Sequence, residues 1–219
     1  MEKSDVVKKK ILNEFYKLAC DYGYKRTSMR QLSDACGMSK GHINFYFKKK
    51  EDLMIALCEK YHIAAERTIS GCKNIPDDVV IKFLLYKLLL CYLTNEKKHA
   101  LRFISEMAEN SIFLIWRSRS LLGYVTSMID RKKISISNED AFDACLISLS
   151  GFYAILHKYY DNKIYIDYKK MFRIFIKTLF AHMSMPNSGV YIDDALQIFS
   201  DLDKDLLHST FDSVLTAAR

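Results

Sequence analysis

The stretch TSMRQLSDACGMSKGHINFYF, residues 27–47, decides how this chain is read. It divides into two short helical segments around Gly37. Ser28, with Gln31 three positions on, makes a capping box for the first segment, and Thr27 is the alternative cap. Ser39 caps the second, which ends near Phe47. A tight turn with glycine between two short helices is the signature of a helix-turn-helix. Gly37 stands where the backbone needs a positive φ, which glycine reaches without steric cost. Leu32, Ala35, Met38, Ile43 and Phe47 are expected to face inward. Ser39, Lys40, His42, Asn44 and Phe45 remain outside.

Upstream, residues 4–22 read as a helix whose Ile11, Leu12, Phe15, Leu18, Ala19 and Tyr22 share one face. The helical pair can rest on that stripe. Gly23 then supplies a left-handed stop. Downstream, a helix opens near Lys50, with Glu51 and Asp52 in its first turn, favourable for the helix dipole, and runs to about residue 70. GCKNIPDD, residues 71–78, is the clearest break, and Pro76 is placed to open the next helix. Helical patterns follow at about 77–94, 96–109, 111–131, 138–160 and 166–184, with one or two more across 190–217. Ser137 and Asp140 form a second capping pair.

The chain has 219 residues with only 7 Gly and 2 Pro, and half of its residues are hydrophobic. This composition predicts an all-α protein with a sizeable core. The longest apolar run, FLLYKLLLCYL at residues 83–93, is interrupted by Lys87. It falls short of the roughly 20 residues that a membrane helix requires. The start, MEKSDVVKKK, lacks the apolar segment of a signal peptide. A cytoplasmic location without membrane association is expected. The six cysteines form no C-x-x-C pair and read as reduced core thiols.

Charge is distributed unevenly. Residues 1–50 hold 12 Lys and Arg against 5 Asp and Glu, while the remaining 21 and 21 cancel, so the whole excess of +7 lies in the first quarter. A basic helix-turn-helix on a neutral body points to nucleic-acid binding. The outward residues at the start of the second short helix are then the ones to meet base edges in a major groove. Lys8, Lys9 and Lys10 can approach neighbouring phosphates.

GYKRTSMRQLSDACGMSKGHINFYFKKKEDL, residues 23–53, resembles the N-terminal domain of TetR-type (tetracycline-repressor-like) transcriptional regulators. Glycines, caps, aromatics and the lysine after them fall in the register of that family, and with the first helix the likeness covers about 45 residues. Ser33, His42 and Asn44 depart from its usual residues, the last two at reading positions. The resemblance implies an N-terminal DNA-binding domain, residues 1–50, and a larger ligand-binding and dimerisation domain, residues 51–219, linked by the helix at about 50–70. Residues 190–219 form a C-terminal helical extension beyond the usual last helix. The DNA-binding set is then Ser28, Arg30, Ser39, Lys40, His42, Asn44, Phe45, Tyr46, Lys48, Lys49 and Lys50. Lys50 matches the family lysine that grips a phosphate with the helix N-terminus, aided by Lys48 and Lys49. Tyr46 meets phosphate or sugar, and Arg30 can reach a guanine.

The resemblance also implies a homodimer on a palindromic operator, a small-molecule effector, and no cofactor or metal. The candidate interface is Leu146, Leu149, Phe152, Tyr153, Phe172, Phe175, Ile176 and Leu179. The candidate pocket aromatics are Phe83, Tyr86, Tyr92, Phe103, Phe113, Trp116 and Tyr124. The C-terminal stripe Ile192, Leu196, Phe199, Leu202, Leu206 and Phe211 predicts helices packed on the body or on a partner.

Two rival readings stand beside the regulator, which is expected not to be an enzyme. Glu59 with His62 and Glu96 with His99 have the Glu-x-x-His spacing of di-iron bundles. A helix-turn-helix used only for protein interaction is the other.

Overall fold

The computed structural model describes residues 3–96, 98–107 and 109–217, with side chains over 4–96, 101–107 and 109–212. Among these residues the structure is helical throughout: α1 Lys3–Tyr22, α2 Met29–Cys36, α3 Lys40–Tyr46, α4 Lys50–Gly71, α5 Val79–Glu96, α6 Lys98–Met107, α7 Ser111–Lys132, α8 Asn138–Asp161, α9 Tyr168–His182, α10 Ser188–Asp201 and α11 Lys204–Ala217. The all-α expectation holds. No described helix is long and apolar enough to cross a membrane.

The local signals act as their chemistry requires. Ser28 Oγ accepts from the Gln31 N–H at 3.2 Å, and Gln31 Oε1 accepts from the Ser28 N–H at 2.9 Å, which completes the capping box. Gly37 closes α2 at φ 61°, and Ser39 Oγ accepts from the His42 N–H at 3.2 Å to open α3. Ser137 caps α8 through the Asp140 N–H at 3.0 Å. At α5 the cap is Asp78 rather than Pro76: its Oδ1 accepts from Val80 N–H at 2.8 Å and Ile81 N–H at 3.2 Å.

Ile11, Phe15, Leu32, Ile43 and Phe47 are buried together, so α1 carries the helix-turn-helix as expected. Two inward assignments are corrected. Ala35 is exposed and Cys36, one helical turn after Leu32, takes the buried place. Tyr22 at the end of α1 is 53% exposed.

In the body, α5 is buried nearly all round, and α9, α10, α4, α7 and α6 pack against it. A helix that is hydrophobic on every side belongs at the centre of a bundle. Helices α7, α8 and α9 pack in sequence, and α11 lies along α4. The C-terminal residues thus fold onto their own chain. Ile192, Leu196, Phe199 and Phe211 are buried, but Leu206 is 60% exposed and Leu207 is buried in its stead. The chain breaks between α10 and α11, and Asp203 Oδ1 accepts from the Leu206 N–H at 3.0 Å, which restarts the helical phase. Leu202, the remaining residue of the expected stripe, is half-buried.

The helix-turn-helix is fastened to the body by α6. Arg102 Nη2 donates to the carbonyls of Ala19, at 3.2 Å, and Cys20 at the end of α1. Glu106 Oε2 accepts from the Lys25 N–H at 2.8 Å, and Lys25 Nζ pairs with Glu109 at 2.7 Å. Gly23 allows this approach. Its φ is +90°, and a Cβ there would stand 2.5 Å from Glu106 Oε1. Gly23→Ala is expected to lower stability by about 1–2 kcal/mol from the left-handed backbone alone. A reduced urea midpoint checks this; an unchanged one contradicts the clasp.

Candidate nucleic-acid interface and inner cavity

On the outer side of the N-terminal domain, Arg30, Ser39, Lys40, His42, Phe45, Lys48 and Lys49 are exposed. Phe45 is 80% exposed, so its hydrophobic ring belongs to the surface of α3 and not to the core. It meets Tyr46 edge-on at 5.2 Å, and the His42 ring stands 5.6 Å from Tyr46. The hydroxyls of Ser28 and Ser39 are occupied as helix caps. Asn44 is half-buried, and its Oδ1 is buried without a hydrogen-bond partner.

Lys50 departs from its expected place at a phosphate. Its Nζ turns inward and donates to Tyr24 O at 3.0 Å and Thr27 O at 3.1 Å, with the Tyr24 ring 4.3 Å away. Burial lowers its pKa from the ordinary lysine value. The α1–α2 loop exposes carbonyls that no helix satisfies, and an ammonium with three donors suits them. Lys50 thus ties the start of α4 to that loop. Lys10 does similar work, donating from Nζ to Cys36 O at 2.8 Å at the end of α2. The remaining α4 opening is closed by Asp52, whose Oδ2 accepts from the Lys49 N–H at 3.1 Å.

A cavity of about 140 Å³ lies in the body, bordered by α1, α4, α5, α6, α7, α8, α9 and α11. Of the expected aromatics, Phe103 and Phe113 line it. Phe83, Tyr86 and Tyr124 instead surround the Lys87 amine, at 5.2, 4.5 and 5.8 Å from their ring centres. Trp116 packs on Phe113, and Tyr92 packs on Tyr168, Phe199 and His208, away from the cavity.

The candidate dimer residues are corrected most. Leu149, Tyr153, Phe172, Phe175, Ile176 and Leu179 are buried within one chain, while Leu146 and Phe152 are half-buried. Leu149, Phe152, Tyr153 and Phe175 line the cavity. The outward row of α8 is Ile147, Gly151 and Ala154.

The basic side chains that line the cavity, His62, Lys87 and Arg117, were not placed there by the sequence analysis. Tyr86 Oη and Arg117 Nη2, the latter at 3.5 Å, both approach His62 Nδ1. Arginine has donors only, so Nδ1 is the acceptor. Burial, followed by the charges of Arg117 and Lys87, holds the His62 pKa well below its ordinary value. Burial also pushes the thiols of Cys58 and Cys91 up to about 12. A signal for Lys87 was available: it is the single charge inside an otherwise apolar run.

Glu59 is exposed while His62 turns inward, so that pair does not share one site. Glu96 is exposed, and the His99 side chain lies outside the described residues. Among the described residues no group of three His, Cys, Asp or Glu side chains could hold a metal ion.

Residues 11–57, which span α1 to the first turns of α4, match the family described as bacterial regulatory proteins of the tetR family. This N-terminal domain belongs to the TetR family. The chain is also similar to a protein of Bacillus subtilis (strain 168) described as the uncharacterized HTH-type transcriptional regulator YerO, with 32% identity over 75 residues. That likeness covers 34% of this chain and 25% of the relative. The TetR-type domain is the part of the molecule that presents the exposed α3 residues and the basic surface.

Proposed function

We propose that the chain is a homodimeric, sequence-specific DNA-binding transcriptional regulator, a repressor released from a palindromic operator when a small molecule enters the body. The observation that carries this reading is the TetR-type domain with α3 held firmly underneath and polar or aromatic on its outside. Ile43 is fully buried, whereas Lys40, His42 and Phe45 are exposed. Lys40, His42, Asn44, Phe45 and Arg30 are assigned to bases, and Tyr46, Lys48 and Lys49 to the backbone. Lys50, Ser28 and Ser39 hold the helices that present them.

Residues 1–50 form the DNA-binding unit and residues 51–219 the ligand-binding and dimerisation unit. Two subunits meet through the outer faces of α8 and α9, where Ile147, Gly151 and Ala154 stand exposed at helical spacing. Two recognition helices can then reach successive major grooves.

Release acts through α4 and α6. Helix α4 lines the cavity with Leu57, Cys58 and His62 and holds the α1–α2 loop through Lys50. Helix α6 lines it with Phe103, Ile104 and Met107 and holds α1 and Lys25 through Arg102 and Glu106. A ligand that shifts either helix changes the distance between the two reading heads. Selection of DNA fragments by the purified chain tests the reading: the recovered fragments are expected to share an inverted repeat. Recovery of unrelated sequences alone contradicts it.

A further inference from the structure

We propose that the cavity takes a small amphipathic anion, an aromatic or short aliphatic carboxylate, whose charged end lies between Lys87 and Arg117. This names the ligand class of the cavity used above, so its role in release rests on the regulator reading.

The argument begins with an unpaired amine. Lys87 is 4% exposed, and its Nζ is buried with no hydrogen-bond partner. Buried polar groups are nearly always satisfied, and a buried charge without a partner costs far more than a neutral group. Arg117 is 2% exposed and borders the same cavity. Neither residue takes part in an ion pair among the described residues. Arg117 Nη1 donates to Ser120 Oγ at 3.3 Å and Nη2 approaches His62 Nδ1 at 3.5 Å, and the Tyr86 and Tyr153 hydroxyls also reach the guanidinium; none of these partners is a carboxylate. Burial and then the charge of Arg117 hold Lys87 well below its ordinary pKa.

Among the described residues the surroundings supply no counter-ion. From α4, Glu66 acts on Lys87 at long range, but its Oε2 accepts from Tyr124 Oη at 2.9 Å and the residue is exposed. His62 adds no negative charge, and the thiols of Cys91 and Cys145 are protonated, pushed up to about 12 by burial. Two basic groups therefore border one apolar space, and among the described residues no carboxylate pairs with either. A ligand carboxylate would satisfy both, and fork-like pairing with a guanidinium is the strongest form of that contact.

The rest of the cavity sets the remainder of the ligand. Its volume of about 140 Å³ is close to that of apolar cavities, roughly 150 Å³, that accept a benzene-sized molecule. Phe103, Phe113 and Phe211 supply an aromatic lining. An apolar or cationic molecule of the same shape would offer Lys87 no acceptor, and a neutral alcohol would offer an acceptor without the charge.

The full chain is titrated without DNA, by calorimetry and thermal shift, with benzoate, phenylacetate and hexanoate, and with benzyl alcohol and benzylamine. At least one carboxylate is expected to bind, with benzoate at least tenfold tighter than benzyl alcohol and benzylamine if it is that one. Lys87→Met is expected to weaken carboxylate binding at least tenfold while melting higher than the wild type without ligand. Arg117→Gln provides the same affinity test should Lys87→Met not fold. No binding of any carboxylate at millimolar concentration overturns the proposal. So does equal binding of the alcohol or amine, or unchanged carboxylate affinity in the folded variants. DNA binding is read separately, so its absence beside intact carboxylate binding rejects the regulator reading alone.

Discussion

Ile43→Ala is expected to destabilise the N-terminal domain by about 2–5 kcal/mol and to abolish measurable operator binding. Ile43 is fully buried on α3, a helix of 7 residues. A segment that short has no helical stability of its own, because nucleation costs more than so few hydrogen bonds return. Its conformation depends on Ile43 and Phe47 seated among Ile11, Phe15 and Leu32. Alanine leaves a cavity there, in a unit whose core is small. The body has its own core around α5, so most helicity should persist. Circular dichroism together with fluorescence anisotropy on operator DNA reads both effects. Undiminished operator binding would contradict the role given to α3.

Removal of Lys48 and Lys49 together should weaken binding in a different way. Both are exposed just ahead of α4, so Lys48→Ala/Lys49→Ala should alter folding stability by no more than about 0.5 kcal/mol. Each phosphate contact contributes about 0.9 to the slope of log K against log salt. Two lysines in each of two subunits make four contacts, so the slope should become less steep by about 4. Binding should weaken uniformly across operator variants, because phosphate contacts carry no sequence information. An unchanged slope would show that these lysines lie away from the backbone.

The contrast between these substitutions reflects what the sequence contained. Ser28, Gln31, Gly37 and Ser39 were legible because caps and turns are decided within three or four residues. The helix boundaries of the body were legible to within a few residues for the same reason. Lys50 was legible as a cation at the start of α4, but not as an inward one. The carbonyls it meets lie 23 and 26 positions upstream, and only the fold brings them there.

Helical phase was the harder problem. Helix α8 has apolar residues on both faces, with Leu149 and Tyr153 inward and Ile147 outward. Periodicity finds such a helix but does not say which apolar face meets its own chain and which a partner. Leu206 and Leu207 show the same difficulty after a break that resets the phase. Of the seven candidate cavity aromatics only Phe103 and Phe113 line it, while Phe83, Tyr86 and Tyr124 surround the Lys87 amine and Tyr92 and Trp116 pack elsewhere. Lys87 was the better clue. A lysine inside an otherwise apolar helix has nowhere to put its charge, and this one has its amine unpaired in the core.

Anisotropy titration of the selected inverted-repeat DNA with the full chain, between 50 and 200 mM salt, tests the central claim most directly. Two chains per duplex are expected, with affinity falling by about 10³-fold or more across that range, as 6–10 phosphate contacts require. Binding that ignores salt, or none to any inverted repeat, would contradict the assignment of the N-terminal domain as a DNA reader.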